Sequence, residues 1–314
     1  MTMNVVVTAA RTALPLPEET SASSVRLAAR AAQSCLADAG LAPDAIGVLI
    51  NTGVYRESNT FEPSLAALIQ KEVGINLDYL ASAAPAAGFS FDLMNGACGI
   101  LNAVQIAQAL LATGSTDRVL VTGADVHPGG RAADDDAYPY ADLGAAMLLE
   151  RGTDPGIGFG RVSSRGADGR AGSAGTRGYL ETAGMSAGGR DRITVEREPE
   201  SVRGERLVAL GAESVSDYVR DEGLDLDRTL LVCTPAVPDF AERLAGRLDV
   251  DPRSVWAPGA PGEAGGEPLT AAPVIGYLSA LEHGMPPGKD QVLLVTAGAG
   301  PSVACVSYRP PQGC

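Results

Sequence analysis

The same order of elements is written twice along this chain, and a duplicated α/β unit leaves few folds open. Residues 24–40 carry an amphipathic helical pattern, followed by Leu41-Ala42-Pro43-Asp44 and an apolar strand pattern over 46–50 that ends at Asn51-Thr52. Residues 206–223 repeat the helix, followed by Leu224-Asp225-Leu226-Asp227 and a strand over 229–232 that ends at Thr234-Pro235. Segments 63–75 and 238–250 match as short helices with apolar residues three and four apart. A buried helix and strand at 99–113 and 119–122 are answered by 272–283 and 292–296. The pattern is too long and irregular for a solenoid, so it records one duplication. It predicts an α/β architecture of two similar halves packed together, residues 1–160 and 161–314.

Cys98 is the residue on which chemistry can be built. Ser90–Asp92 reads as a short strand, Met94-Asn95-Gly96-Ala97 as a tight turn, and 99–113 as a buried helix stopped by Gly114. Cys98 then sits at a helix N-terminus, beside unpaired N–H groups and the positive end of the helix dipole. That setting can lower a thiol pKa and supply a nucleophilic thiolate. A small hydrophobe in a core turn is the other reading of the same position. The second-half counterpart is the loop 262–268, also at the start of a buried helix. Two helix N-termini facing each other would make a shared pocket suited to a thioester carbonyl.

Composition narrows the functions. With 314 residues, 45% hydrophobic content and a net charge of −14, the chain reads as a globular protein that does not bind nucleic acid. No apolar run reaches the length of a membrane helix, and the N-terminus reads as a first strand with no signal peptide. Five widely spaced cysteines without a CxxC motif fit a reduced cytoplasm, with no disulfide framework and no metal site. Ten arginines between Arg151 and Arg206, interleaved with acids, read as a salt-bridged surface or as a basic patch for a phosphopantetheine or an acidic carrier protein.

The run FDLMNGACGILNAVQIAQALLATGSTDRVLVTGADV (91–126) resembles the nucleophile segment of the thiolase superfamily, nearest to its 3-oxoacyl-acyl-carrier-protein synthase III branch. Residues 142–149 (DLGAAMLL) and 296–301 (TAGAGP) are similar to that family's following strand and its C-terminal glycine-rich loop. The resemblance implies a five-layer αβαβα fold with two pseudo-symmetric halves, a homodimer, and a cysteine that carries an acyl group as a thioester. It implies an oxyanion hole from the backbone N–H groups of Cys98 and Gly300, and a partner-reaching loop at Phe61 and Glu62. Gly266, in the loop facing Cys98, is expected to line the substrate. No bound cofactor is expected. The substrate would be a phosphopantetheine-borne acyl thioester, brought by an acyl carrier protein or coenzyme A.

Departures from the family pattern matter as much. Its condensing members pair the cysteine with a histidine after the second-half strand and an asparagine in the loop beyond. Here Thr234 stands at the histidine's place, and 262–268 contains no asparagine. The two histidines, His127 and His283, read as structural. The segment between Thr12 and Ser23 is shorter than in coenzyme-A-using members, and the sole tryptophan, Trp256, lies elsewhere. Loss of one enolate donor costs about 10²–10³ in rate, so two lost donors disfavour malonyl condensation. Acylation of Cys98 and transfer to a thiol, amine or hydroxyl need no enolate and at most one base. Glu62, Glu263, Glu267 and Asp239 are the candidate bases, each of which also reads as a surface carboxylate or helix cap. Cys233 reads as core or as a second catalytic cysteine. The expectation is an acyltransferase of specialised-metabolite assembly. The alternatives are a condensing enzyme with a base other than histidine, and a non-catalytic subunit paired with an active paralogue.

Overall fold

The computed structural model describes residues 4–57, 63–77, 88–128, 132–136, 138–167, 176–180, 193–262, 265–298 and 300–311. The first half contributes β1 (Val5–Ala13), α1 (Ser24–Ala39), β2 (Val48–Asn51), α2 (Leu65–Val73), β3 (Phe89–Asp92), α3 (Gly99–Ala112), β4 (Arg118–Asp125) and β5 (Leu143–Arg151). Next come the short strands β6 (Gly158–Phe159), β7 (Ser163–Gly166), β8 (Thr176–Leu180) and β9 (Ile193–Arg197). The remainder is α4 (Glu200–Glu222), β10 (Thr229–Cys233), α5 (Phe240–Leu248), β11 (Val255–Trp256), α6 (Ala272–His283), β12 (Gln291–Gly298) and β13 (Ser302–Arg309). Strands run β1-β5-β4-β2-β3 in one sheet and β6-β13-β12-β10-β11 in the other. Read from the edge strand that pairs antiparallel with the long outer hairpin, the two orders are the same. β7 extends the second sheet beside β13, and β8 with β9 forms a separate ribbon.

Period-two alternation in the strands assigns the layers. Val48, Ile50, Val119 and Val121 face one core, and Leu49 and Leu120 face another. In the second sheet Leu230, Val232, Val292 and Leu294 face the first of these cores, and Leu231, Leu293 and Val295 face a third. The shared core holds α3 and α6; α1 and α2 cover the first sheet from outside, and α4 and α5 cover the second. The result is the expected five-layer αβαβα arrangement. α3 and α6 have a sheet on either side, which is why their sequences are apolar around most of their circumference. The outer helices meet solvent on one face and are amphipathic. α1 is capped by the Ser23 side chain and by Glu57, whose carboxylate accepts from Ser24 N (3.0 Å) and Ser24 Oγ (2.8 Å).

Close approach of α1 to the first sheet depends on Gly144. A Cβ at this position in β5 would stand 2.6 Å from the Leu27 carbonyl carbon and oxygen in α1. Gly144→Ala is therefore expected to destabilise by about 1–3 kcal/mol, the usual range for overpacking. Urea unfolding should show a lower midpoint with an unchanged slope; a wild-type midpoint would refute the contact.

Candidate active site

Two short turns bring the halves together. Gly96–Cys98 forms a 3-10 turn that runs into α3, and Leu269–Ala271 forms its counterpart ahead of α6. The two turns pack against each other, and the first also packs on β12 and β13. Asp125, at the end of β4, locks this junction. Its Oδ1 accepts from Val54 N and Tyr55 N (both 2.9 Å), and its Oδ2 accepts from Thr270 N (3.2 Å). A second stitch runs through Glu267, whose N–H donates to Pro139 O (2.8 Å) and whose carbonyl accepts from Ala141 N (2.9 Å). Gly266 makes that stitch possible: its φ is +96°, and a Cβ there would meet the Tyr140 carbonyl carbon at 2.7 Å.

The Cys98 thiol is buried at this junction, 1% exposed. Its Sγ lies 3.6 Å from Ser302 Oγ, 3.7 Å from Thr296 O and 3.8 Å from Ser302 O. A helix start alone predicts a depressed thiol pKa, and the structure opposes that expectation for two reasons. Burial is the largest influence and pushes the thiol up, while hydrogen bonding from Thr296, Ser302 and the Ala304 backbone pulls against it without reversing it. The 3-10 turn also consumes N–H groups that a bare helix start would leave to the sulfur. Cys98 N–H donates to Asn95 O (3.1 Å), and Gly99 N–H donates to Gly96 O. An oxyanion hole using the Cys98 N–H requires that first bond to open.

Two hollows flank the thiol. A cleft of about 310 Å³, open to solvent, is lined by Val54, Tyr55, Met94, Gly96, Gly300 and Ser302. A narrower cavity of about 20 Å³ is lined by Ala97, Arg203, Thr234, Glu267, Pro268 and Gly298. Tyr140 and Leu269 border both. Cys98 stands behind the wall between them, touching Ser302 on the cleft side. On the other side, a Cβ on Gly298 would be 3.5 Å from its Sγ.

Gly300 lines the cleft, whereas Glu267 and Thr234 share the narrower cavity. Thr234 is buried, and its hydroxyl accepts from Ala297 N (2.8 Å) and contacts Ala297 O (3.4 Å), so it fastens a strand end. Asp239 is exposed at the start of α5, away from both hollows. Phe61, Glu62 and Glu263 lie outside the described residues. Neither histidine hydrogen-bonds to Cys98. His127 Nε2 pairs with Asp135 (2.9 Å) and its ring lies edge-on to Tyr138, while His283 Nδ1 contacts Ser279 O (2.9 Å). Cys233 is fully packed at the end of β10, with burial pushing its thiol up.

Arg203 is the site residue that the sequence reading passed over. It lies on α4 one turn ahead of Leu207, on the apolar face, and is 6% exposed. A charge on the buried stripe of an amphipathic helix is the signal that could have found it. Of the arginines between 151 and 206, Arg151, Arg161, Arg165, Arg203 and Arg206 each face an acid. Among the described residues, no group of three or more His, Cys, Asp or Glu is arranged to hold a metal, and no helix is long and apolar enough to cross a membrane.

A thiol pushed up by burial holds less thiolate at neutral pH than a free cysteine, which is about 3% ionised at pH 7. Alkylation of Cys98 by iodoacetamide should be slow at pH 7 and still rising beyond pH 9. A plateau reached below pH 7 would contradict the electrostatics described here.

Residues 91–169 match the profile of the 3-oxoacyl-[acyl-carrier-protein] synthase III family. A β-ketoacyl-[acyl-carrier-protein] synthase III of Cereibacter sphaeroides is 36% identical over 156 residues, which is 50% of this chain and 40% of that protein. The matched stretch thus spans less than half the length of that relative. Across the whole fold, 3-oxoacyl-(acyl carrier protein) synthase III, FabH, of Pseudomonas aeruginosa superimposes with a TM-score of 0.75 at 20% identity, covering 98% of this chain and 99% of that one. Cerulenin-bound OleA of Xanthomonas campestris superimposes with a TM-score of 0.72 at 16% identity, covering 98% and 99%. The nucleophile segment thus matches synthase III proteins by sequence, and the five layers match the synthase III and OleA structures by shape.

Proposed function

We propose that this chain is a thioester-dependent acyltransferase that loads an acyl group onto Cys98 and passes it to a nucleophilic acceptor. The observation that carries this reading is a buried thiol at the meeting of two helix starts, beside a cleft, with no histidine in contact. The donor is an acyl thioester of a carrier protein or coenzyme A, and no bound cofactor is invoked. Its pantetheine arm would occupy the cleft between Tyr55, Met94 and Gly300. Loading exchanges one thioester for another. Cys98 Sγ forms the new bond to the acyl carbon, the old carbon–sulfur bond breaks, and the thiol proton leaves with the released pantetheine thiol. Because no net proton is gained or lost, a thiol with a raised pKa still reaches a favourable product. Ser302 Oγ, 3.6 Å from the sulfur, is placed to donate to the charge that builds on it.

The half-exposed Phe89, stacked on Phe91 along β3, supports a homodimer. Among the described residues, β3 pairs only with β2 and ends the first sheet. An apolar edge strand of this kind suits pairing with a second copy of the chain.

Intact-mass measurement after incubation with acyl-carrier or acyl-coenzyme A donors should show an added acyl mass on wild type and none on Cys98→Ala. Equal labelling of both proteins would end this reading.

The relatives' names favour one alternative, a condensing synthase, with Glu267 acting where the family's asparagine stands. In that case carbon dioxide should be released from a malonyl donor, and Glu267→Gln should slow the release at least tenfold. Absence of release under conditions that acylate Cys98 would leave acyl transfer alone.

A further inference from the structure

Arg203 is buried beside the narrow cavity with part of its hydrogen-bonding capacity unused. Its Nη1 donates to Ala236 O at 2.8 Å, a normal length. Its Nη2 reaches Glu267 Oε1 only at 3.5 Å, well beyond the length of about 2.7–2.9 Å for a charge-assisted bond. Its Nε is buried and has no partner. Nε–H and one Nη2–H point from the same edge of the planar guanidinium, the edge that meets a carboxylate with two parallel bonds. That edge therefore carries one stretched contact where it can carry two short ones. Leaving such donors unmet in a buried site carries a desolvation penalty, larger for a charged group than for a neutral one.

We propose that the Nε/Nη2 edge of Arg203 is a carboxylate-binding subsite beside Cys98, and that the acyl group carried there ends in a second carboxylate. This rests on the acyl-transfer reading above and names its substrate class: the half-thioester of a short dicarboxylic acid. The lining of the cavity suits such a group chemically, and movement of Glu267, part of that lining, would widen it to admit one. Ala97 and Gly298 flank Cys98 and line the cavity together with Arg203, so the cavity lies between the surroundings of the sulfur and the guanidinium. Ala97, Pro268 and Gly298 are small or apolar and suit methylene groups between the two carboxyl ends. Glu267 has a side chain 25% exposed, and release of its stretched contact frees both N–H groups for the ligand. In loading, the acyl carbon moves from the carrier sulfur to Cys98 Sγ, the thiol proton leaves with the carrier thiol, and the distal carboxylate takes no part in bond making.

Loading rates of Cys98, followed by intact mass, test this with succinyl and glutaryl thioesters against length-matched butyryl and valeryl thioesters. At least one half-acid should load about tenfold or more faster than its neutral counterpart. In Arg203→Met that ratio should fall to about one, and Arg203→Lys should keep part of it. A ratio near one in wild type, or an unchanged ratio in Arg203→Met, overturns the subsite. A measurement that needs no thiol chemistry separates the two readings and covers the case in which Arg203→Met does not fold. Glutarate should raise the Tm of Cys98→Ala protein, and valerate should not. Stabilisation by glutarate with no thioester ever loaded would sink the acyl-transfer reading and keep the subsite. Loading without any stabilisation would do the reverse.

Discussion

α3 and α6 are enclosed between two sheets, and the rest of the molecule is arranged around that enclosure. A helix with a sheet on both sides has no solvent to satisfy its ends, so its first N–H groups need partners inside the protein. Both helices meet this need with a 3-10 turn, Gly96–Cys98 and Leu269–Ala271, and the turns pack on one another. Asp125 serves both halves at once, taking N–H groups of Val54 and Tyr55 from the first and of Thr270 from the second. The site is the seam where these polar ends collect, bounded by the strand ends of both sheets.

Electrostatics at the seam are set chiefly by burial, with hydrogen bonds opposing it. The Cys98 thiol is pushed up, and the carboxylate of Asp125 is pushed the same way by full burial despite its hydrogen bonds. Among the described residues, the only cation in the narrow cavity's lining is Arg203, held by one backbone carbonyl and a long contact to Glu267. A buried thiol beside a cleft and an incompletely bonded guanidinium beside a cavity are the two features on which the proposed function and its carboxylate subsite rest.

Much of this was open to reading in advance. Helix and strand periods placed α1, α2, α5 and α6 within a few residues, because each period reports which side of an element is buried. Cys98 was legible because a lone cysteine between a glycine turn and an apolar run has few other settings. The raised thiol was not, since desolvation depends on β12 and β13 closing over a residue some two hundred positions away in the chain. Thr234 was legible as a position but not as a fastener: its bond to Ala297 exists only once β10 and β12 lie side by side. Arg203 escaped because one arginine among ten in a charged stretch carries no local mark; only the docking of α4 turns it inward.

What the sequence determined by itself was the repeated α/β order, the apolar character of the two central helices and the position of one thiol at a helix start. These are local, because periodicity and turn chemistry are properties of neighbouring residues. Tertiary structure alone decided which groups surround that thiol, how strongly burial resists its ionisation and which charge shares the cavity beside it. Those depend on distances between segments far apart in the chain, and distance is what sets desolvation and Coulomb energy.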